Sequence, residues 1–220
     1  MGITNHIPFD FTDRVMAVIK ACPHHVFLVL TKRPKRMAKY FELYCSNGKS
    51  MPKNLYTGVT AENQKRADER IPILLQVPGK HFVSLEPLLG PIDLKLHDYA
   101  QSHNAHSVRR SFLHSVILGG ETGPKARPIH PDWVRKIRDD CVKAGVPFFF
   151  KQWGKWCPDD FSTVLPSGTT PTRCWVHFTT GEMYDWAYPN NTAQMMSVGR
   201  KTAGRLLDGK EHNKLPWNIE

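Results

Sequence analysis

The sequence predicts an α/β fold: a parallel-stranded partial TIM-type barrel or open sheet with flanking helices, followed by a C-terminal β-hairpin and helix. Three observations carry this reading. Five short apolar runs, VFLVL, LYTGV, HFVSL, SVILG and PFFFK, begin at residues 26, 55, 81, 115 and 147. Helical patterns fill most of the gaps between them, the rhythm of a repeated strand–helix unit. Each run also ends in polar, chemically capable residues, as strands do where a parallel sheet carries its ligand site.

The elements follow in order. Residues 11–22 place Phe11, Val15, Val18 and Cys22 on one helical face, with Asp10 as N-cap. VFLVL is the first strand. Residues 34–45 put Met37, Tyr40, Phe41 and Tyr44 on one face and Lys35, Arg36 and Lys39 on the other, with Pro34 at the first helical position. LYTGV is the second strand. A helix over 61–76 takes Thr60 as cap and Glu62 in its first turn, and Pro72 breaks or restarts it. HFVSL is the third strand, and the poorly periodic stretch 88–114 reads as a surface loop or short helix. SVILG precedes a helix over 131–144, with Val134, Ile137 and Cys141 inward and Gly145 as its stop. PFFFK, apolar on both faces, is the fifth strand. TRCWVHFTTGEMYDW reads as a hairpin turning near Thr180-Gly181, and a last helix over 197–207 stops at Asp208-Gly209. Residues 1–154 form the strand–helix repeat, and 155–220 the hairpin and helix packed on the same domain.

Composition narrows the function classes. Apolar residues make up 40% and charged residues 23% of the 220 positions, a globular balance. No apolar run reaches the ~20 residues of a membrane span, and the first ten residues lack the pattern of a secretory signal. A cytoplasmic location is expected, with no membrane partner. The five cysteines, Cys22, Cys45, Cys141, Cys157 and Cys174, are odd in number and have no CxxC spacing, so they read as reduced thiols with no metal site. The net charge of +10 favours a polyanion partner. TKRPKRMAKY concentrates it, with Lys32, Arg33, Lys35, Arg36 and Lys39 and no acid. These are the candidate nucleic-acid-binding residues.

The strand ends supply the candidate catalytic set: Glu62 after LYTGV, Glu86 after HFVSL, Glu121 after SVILG, and Lys151 and Gln152 after PFFFK, with Trp153 beside them. Each also has an ordinary structural use: Glu62 serves equally as a helix-terminal acid. In GGETGPKARP, Gly119 and Gly120 permit close backbone approach and Gly123-Pro124 makes a turn. Lys125 and Arg127 follow as anion-binding candidates. The phosphate loop GxxxxGKS, the dinucleotide motif GxGxxG, the nucleophile elbow GxSxG and the zinc motif HExxH are all absent.

TKRP, GVTAENQ, FVSLEPLLGPID, GGETGPKARPIHPDWVR, GVPFFFKQWGKW and VGRKTAGRLLDG, taken together, resemble an uncharacterised phage and prophage family, from about Phe9 to Pro216. Its longer members carry three clustered cysteines near the N-terminus and look like radical-SAM (S-adenosylmethionine) barrel proteins. For those longer members the resemblance implies S-adenosylmethionine and a 4Fe–4S cluster; this chain has no such cysteine spacing, so neither cofactor is expected in it alone. The chain is then expected to be the C-terminal part of such a barrel, acting on a nucleotide or nucleic acid. An N-terminal segment, a partner protein or a second copy would complete it. Two alternatives stand beside this. One is a non-enzymatic polyanion-binding protein using the five cations of TKRPKRMAKY. The other is an iron-free enzyme for a phosphate ligand, with Glu121 as general base and Lys151 as electrostatic stabiliser.

Overall fold

The apolar runs lie side by side in a five-stranded parallel sheet of order β1-β2-β3-β4-β5. A computed structural model describes residues 7–96, 112–160, 165, 167, 168, 170–186 and 190–217. Its elements are α1 (Phe9–Ala21), β1 (Phe27–Thr31), α2 (Pro34–Ser46), β2 (Leu55–Thr60), α3 (Gln64–Leu74), β3 (Lys80–Leu85), β4 (Leu113–Gly119), α4 (Pro131–Ala144) and β5 (Phe148–Gln152). Five more follow: β6 (Trp156–Pro158), β7 (Thr172–His177), β8 (Met183–Tyr184), β9 (Thr192–Ser197) and the four-residue α5 (Arg200–Ala203). Of the expected surface stretch 88–114, residues 97–111 lie outside the described residues.

Because strands adjacent in sequence are adjacent in the sheet, right-handed crossovers put the connecting helices on one face. Register makes that face explicit. Thr31, Val59, Val83, Val116 and Phe148 form one row across all five strands. Leu85, Leu118 and Phe150 form the next row. Apart from Thr31, these rows are apolar and share one buried cluster with Met16 and Ile19 of α1, Met37 and Phe41 of α2, Ile71 and Leu74 of α3, and Trp133 and Ile137 of α4. The alternate rows face the other way: Leu30, Gly58, Phe82 and Ser115, then Thr60, Ser84, Ile117 and Phe149. On that second face the Phe82 ring lies over Gly58, where a β-carbon would sit 2.4 Å from it. Trp217 packs on Tyr56 with ring centroids 5.3 Å apart, and the Arg205 guanidinium sits 5.0 Å from the Phe149 ring. The C-terminal segment therefore crosses this face.

The two edges differ. Phe150 N–H donates to the His212 carbonyl at 2.9 Å, and Phe149 bridges antiparallel to Asn213, so β5 has its outer edge covered. Among the described residues no strand pairs with the outer edge of β1. Its Leu28 and Leu30 are 41% and 48% exposed. Among the described residues β1 and β5 do not pair, so the five strands form no closed barrel.

Beyond β5 the chain forms an antiparallel sheet of order β6-β9-β7-β8. The expected hairpin is its β7–β8 half, with Gly181 in the turn at φ +72°. Trp133 Nε1–H donates to the Phe178 carbonyl at 2.6 Å and Trp156 Nε1–H to the Ala126 carbonyl at 2.7 Å, tying this sheet to the helix layer. Cys157, Cys174, Val176 and Met195 join the same buried cluster.

Four local expectations are corrected. The α1 helix starts at Phe9 after Pro8, which takes the N-cap place, with Asp10 inside the first turn. It buries Met16 and Ile19, while Phe11 and Val18 face outward. α3 is capped by Asn63, whose side chain accepts from Arg66 N–H at 3.1 Å, and not by Thr60; Pro72 lies within its last turn. The last helix is only Arg200–Ala203, because Gly204 at φ +64° ends it.

Candidate functional site

At the carboxyl ends of the strands, three of the candidate residues meet. Lys151 Nζ lies 2.9 Å from Glu86 Oε2, and Gln152 Nε2 donates to Glu86 Oε1 at 3.0 Å. Glu86 follows β3 and its partners end β5, so the carboxylate spans the end of β4 between them. Gly119 allows this: a β-carbon there would stand 3.0 Å from Glu86 Oε1. The glycine holds open the path its neighbour crosses. Lys151 keeps half its side chain exposed (51%) while Glu86 is mostly covered (21%). The ammonium, with three donors, still has capacity for a ligand.

A second ionic group gathers at the ends of β1 and β2. Glu62 Oε2 accepts from Arg70 at 2.9 Å, and its Oε1 stands 3.7 Å from Lys32 Nζ. Arg70 is buried and also donates to the Thr60 carbonyl at 2.7 Å. A buried guanidinium requires such partners. Neutralising Arg70 is thus what this geometry assigns Glu62. Arg70 itself escaped the sequence reading, since Arg66 and Glu69 around it make that stretch look like an ordinary solvated helix face.

Glu121 is turned to another use. Its two oxygens accept from Arg127 Nε at 2.9 Å, from Arg127 NH2 at 2.8 Å and from the Arg127 backbone N–H at 2.8 Å. The side-chain bond to Arg127 holds the carboxyl below its ordinary pKa. Glu121 and Arg127 thus clasp their own loop, and Lys155 Nζ fastens it again on the Pro124 carbonyl at 2.9 Å. Lys125 is exposed on the same loop. Gly120 N–H is engaged within the fold, donating to the Gln152 carbonyl at 2.9 Å. A β-carbon on Gly120 would come 1.8 Å from the Trp153 carbonyl oxygen, and one on Gly154 2.3 Å from that of Glu121. These two glycines let the ends of β4 and β5 touch backbone to backbone. Gly123 makes its turn at φ +102°. Trp153 does not face the strand-end mouth: its ring is buried 4.9 Å from Phe150, and its Nε1–H donates to the Leu206 carbonyl at 2.8 Å.

The five cations of TKRPKRMAKY do not share one open face. Lys32 pairs with Glu62, and Lys39 with Glu42 at 3.2 Å. Arg36 is half-buried, bonded to the Ile7 carbonyl and 4.4 Å from the Phe9 ring. Arg33 donates its backbone N–H to Thr31 Oγ1 at 3.0 Å, and Lys35 is exposed on the first turn of α2.

Cys141, Cys157 and Cys174 are buried. Burial pushes the Cys141 thiol up to about 12 and the Cys174 thiol up to about 11. Among the described residues no three His, Cys, Asp or Glu side chains gather as metal ligands. Among them, too, no helix is long and apolar enough to cross a membrane.

Fold and site define an open-sheet parallel α/β protein with ionic clusters at the carboxyl ends of its strands. The chain belongs to the family described as protein of unknown function (DUF5131), whose model matches residues 3–216. No curated protein and no solved structure matches it.

Proposed function

We propose that this protein holds an anionic substrate, a nucleotide or a segment of nucleic acid, at the carboxyl ends of its parallel strands. The observation that carries this reading is the convergence of Lys151 and Gln152 on Glu86 across Gly119. In it, Lys151 contacts a phosphate oxygen, Glu86 holds the ammonium in place, and Gln152 fixes the carboxylate. Thr60 and Ser84, paired across β2 and β3 on the second face of the sheet, lie buried near the same end. Lys32, held by Glu62, adds a second cation at the mouth. Any radical chemistry of the kind implied by the family resemblance would need thiolates from outside these 220 residues. An added strand along β1 would be the natural carrier, and the two exposed leucines on that edge support such a partner.

Titration with ATP, GTP and a short single-stranded oligonucleotide tests the reading. Saturable binding of at least one is expected. A charge-assisted hydrogen bond is worth roughly 1.5–3 kcal/mol, so Lys151→Gln should weaken binding about tenfold or more. Glu86→Gln should weaken it less, by loosening Lys151. Absence of saturable binding, or binding indifferent to Lys151→Gln, would remove the site.

A further inference from the structure

The amino-terminal end of the parallel sheet gathers cations that no acid answers. Lys20 stands in the last turn of α1, Lys49 and Lys53 lie between α2 and β2, and Lys80 opens β3. The segments that build this pole, residues 16–26, 43–56 and 74–81, contain no Asp or Glu. Among the described residues the lysines paired with carboxylates are Lys32, Lys39, Lys95, Lys136 and Lys151, and none belongs to these segments. Lys20, Lys49 and Lys53 are exposed. They form one surface. Lys20 Nζ and Lys49 Nζ each stand 5.2 Å from the centroid of the Tyr44 ring. Lys80 is the brace: its Nζ donates to the Lys53 carbonyl at 2.9 Å and lies 4.9 Å from the Tyr56 ring. Asn54 Nδ2 donates to the Ile19, Cys22 and His25 carbonyls at 3.1, 3.0 and 2.9 Å, which fastens the end of α1 to the start of β2.

Part of this charge answers the helices themselves. α1, α2 and α3 all end at this pole. Each carboxyl end carries roughly −0.5 of a charge, about −1.5 together. Four lysines outweigh that, so the pole keeps a positive field.

We propose that this pole docks the phosphate backbone of a nucleic-acid duplex without regard to sequence. Charge complementarity selects a polyanion: several separated ammoniums meet a run of phosphates, whereas a small anion reaches only one or two of them. The remaining side chains select the duplex. The only Phe, Tyr or Trp residues of these segments are Tyr44 and Tyr56, both buried, so no such ring is offered to the unstacked bases of a single strand. The large apolar side chains they expose are Val18, Val26 and Leu43, without the Trp or Phe that seats a protein in a bilayer interface. A duplex keeps its bases stacked and presents phosphates alone. The six residues of β2 separate this pole from the Glu86–Lys151–Gln152 end by about 20 Å, and the docking does not depend on the function of that cluster.

Fluorescence anisotropy of the full chain with a labelled DNA duplex of about 20 base pairs, between about 50 and 200 mM monovalent salt, is the test. Saturable binding that is indifferent to sequence is expected, with affinity falling about 40-fold or more over that range. Lys20→Gln, Lys49→Gln and Lys53→Gln together should flatten the slope of log affinity against log salt by about 2.7, and each alone by about 0.9. The single variants decide the matter if the triple variant does not fold. Lys39→Gln, Lys95→Gln and Lys136→Gln together lower the net charge equally and should leave the slope within about one contact of the wild type. Lys151→Gln should leave duplex binding unchanged, which separates this docking from the strand-end site. Equal slopes in the pole variant and the charge-matched variant would overturn the proposal. So would the absence of saturable binding at the lowest salt, tighter binding to a single strand of the same length, or binding only to anionic phospholipid vesicles.

Discussion

His81 shows what one buried side chain asks of its surroundings. It has no exposed surface, and its Nδ1 stands 3.1 Å from Thr57 Oγ1. Burial first, and then the neighbouring His114, pull its pKa from 6.5 down to about 4. The unfolded chain takes up this proton below pH 6.5, while the folded chain refuses it until about 4. Stability is therefore whole above that window and falls as pH drops through it, by about 3 kcal/mol from this group alone. Urea unfolding between pH 7 and pH 4 measures it. The slope should lessen by about one proton in His81→Asn, and equal slopes in both proteins would refute the assignment. The same scale explains the double glycine of GGETGPKARP. Gly120 and Gly154 exist for the contact between two strand ends, where a side chain on either would collide with a carbonyl.

Among the elements, the join between the antiparallel sheet and the helix layer rests on α4. The Trp133 ring is fully buried, its Nε1–H reaches the Phe178 carbonyl, and a β-carbon on Gly181 would lie 3.2 Å from it. Trp133→Ala is expected to cost about 3–5 kcal/mol, as large-to-small changes in cores do. The loss should be uneven: hydrogen exchange in β7 should accelerate more than in β2. Uniform acceleration would mean that Trp133 is simply core. At this scale the parallel strands were legible, because VFLVL and PFFFK carry dense apolar runs that few other structures explain. The α1 face was not. Phe11, Val15, Val18 and Cys22 repeat with helical spacing, yet β1 is an edge strand with a cleft beside it. The inward face follows Met16 and Ile19, which reach α2, and leaves Phe11 and Val18 in solvent. Strands β6 and β9 were missed because WCP is short and TAQMMS mixes polar and apolar residues without a clean alternation. Strand-end logic pointed to Glu86, Lys151 and Gln152, whereas the capture of Glu121 by Arg127 and of Glu62 by Arg70 depends on rotamers that spacing does not encode.

For the molecule as a whole, the asymmetry of the two sheet edges matters most. β5 is strapped by residues 212 and 213, whereas among the described residues no strand pairs with the outer edge of β1, which also carries two exposed leucines. Edges of this kind pair with further strands. Concentration-dependent self-association through β1 is expected, and light scattering should find Leu28→Lys with Leu30→Lys monomeric over the same range. A wild-type protein that stays monomeric at high concentration would show that this edge protects itself. The strap on β5 has a further consequence, one of time. Phe150 is synthesised about 60 residues before His212, the residue that satisfies its N–H. At the usual ~5–20 residues per second, the ribosome takes roughly 3–12 s to deliver the strap. During that interval the nascent sheet is open on both sides. The growing chain is thus open to mispairing with its neighbours on a polysome until residue 212 emerges, and the salt bridges of Arg135 and Arg138 to Asp208 then help to hold the strap in place.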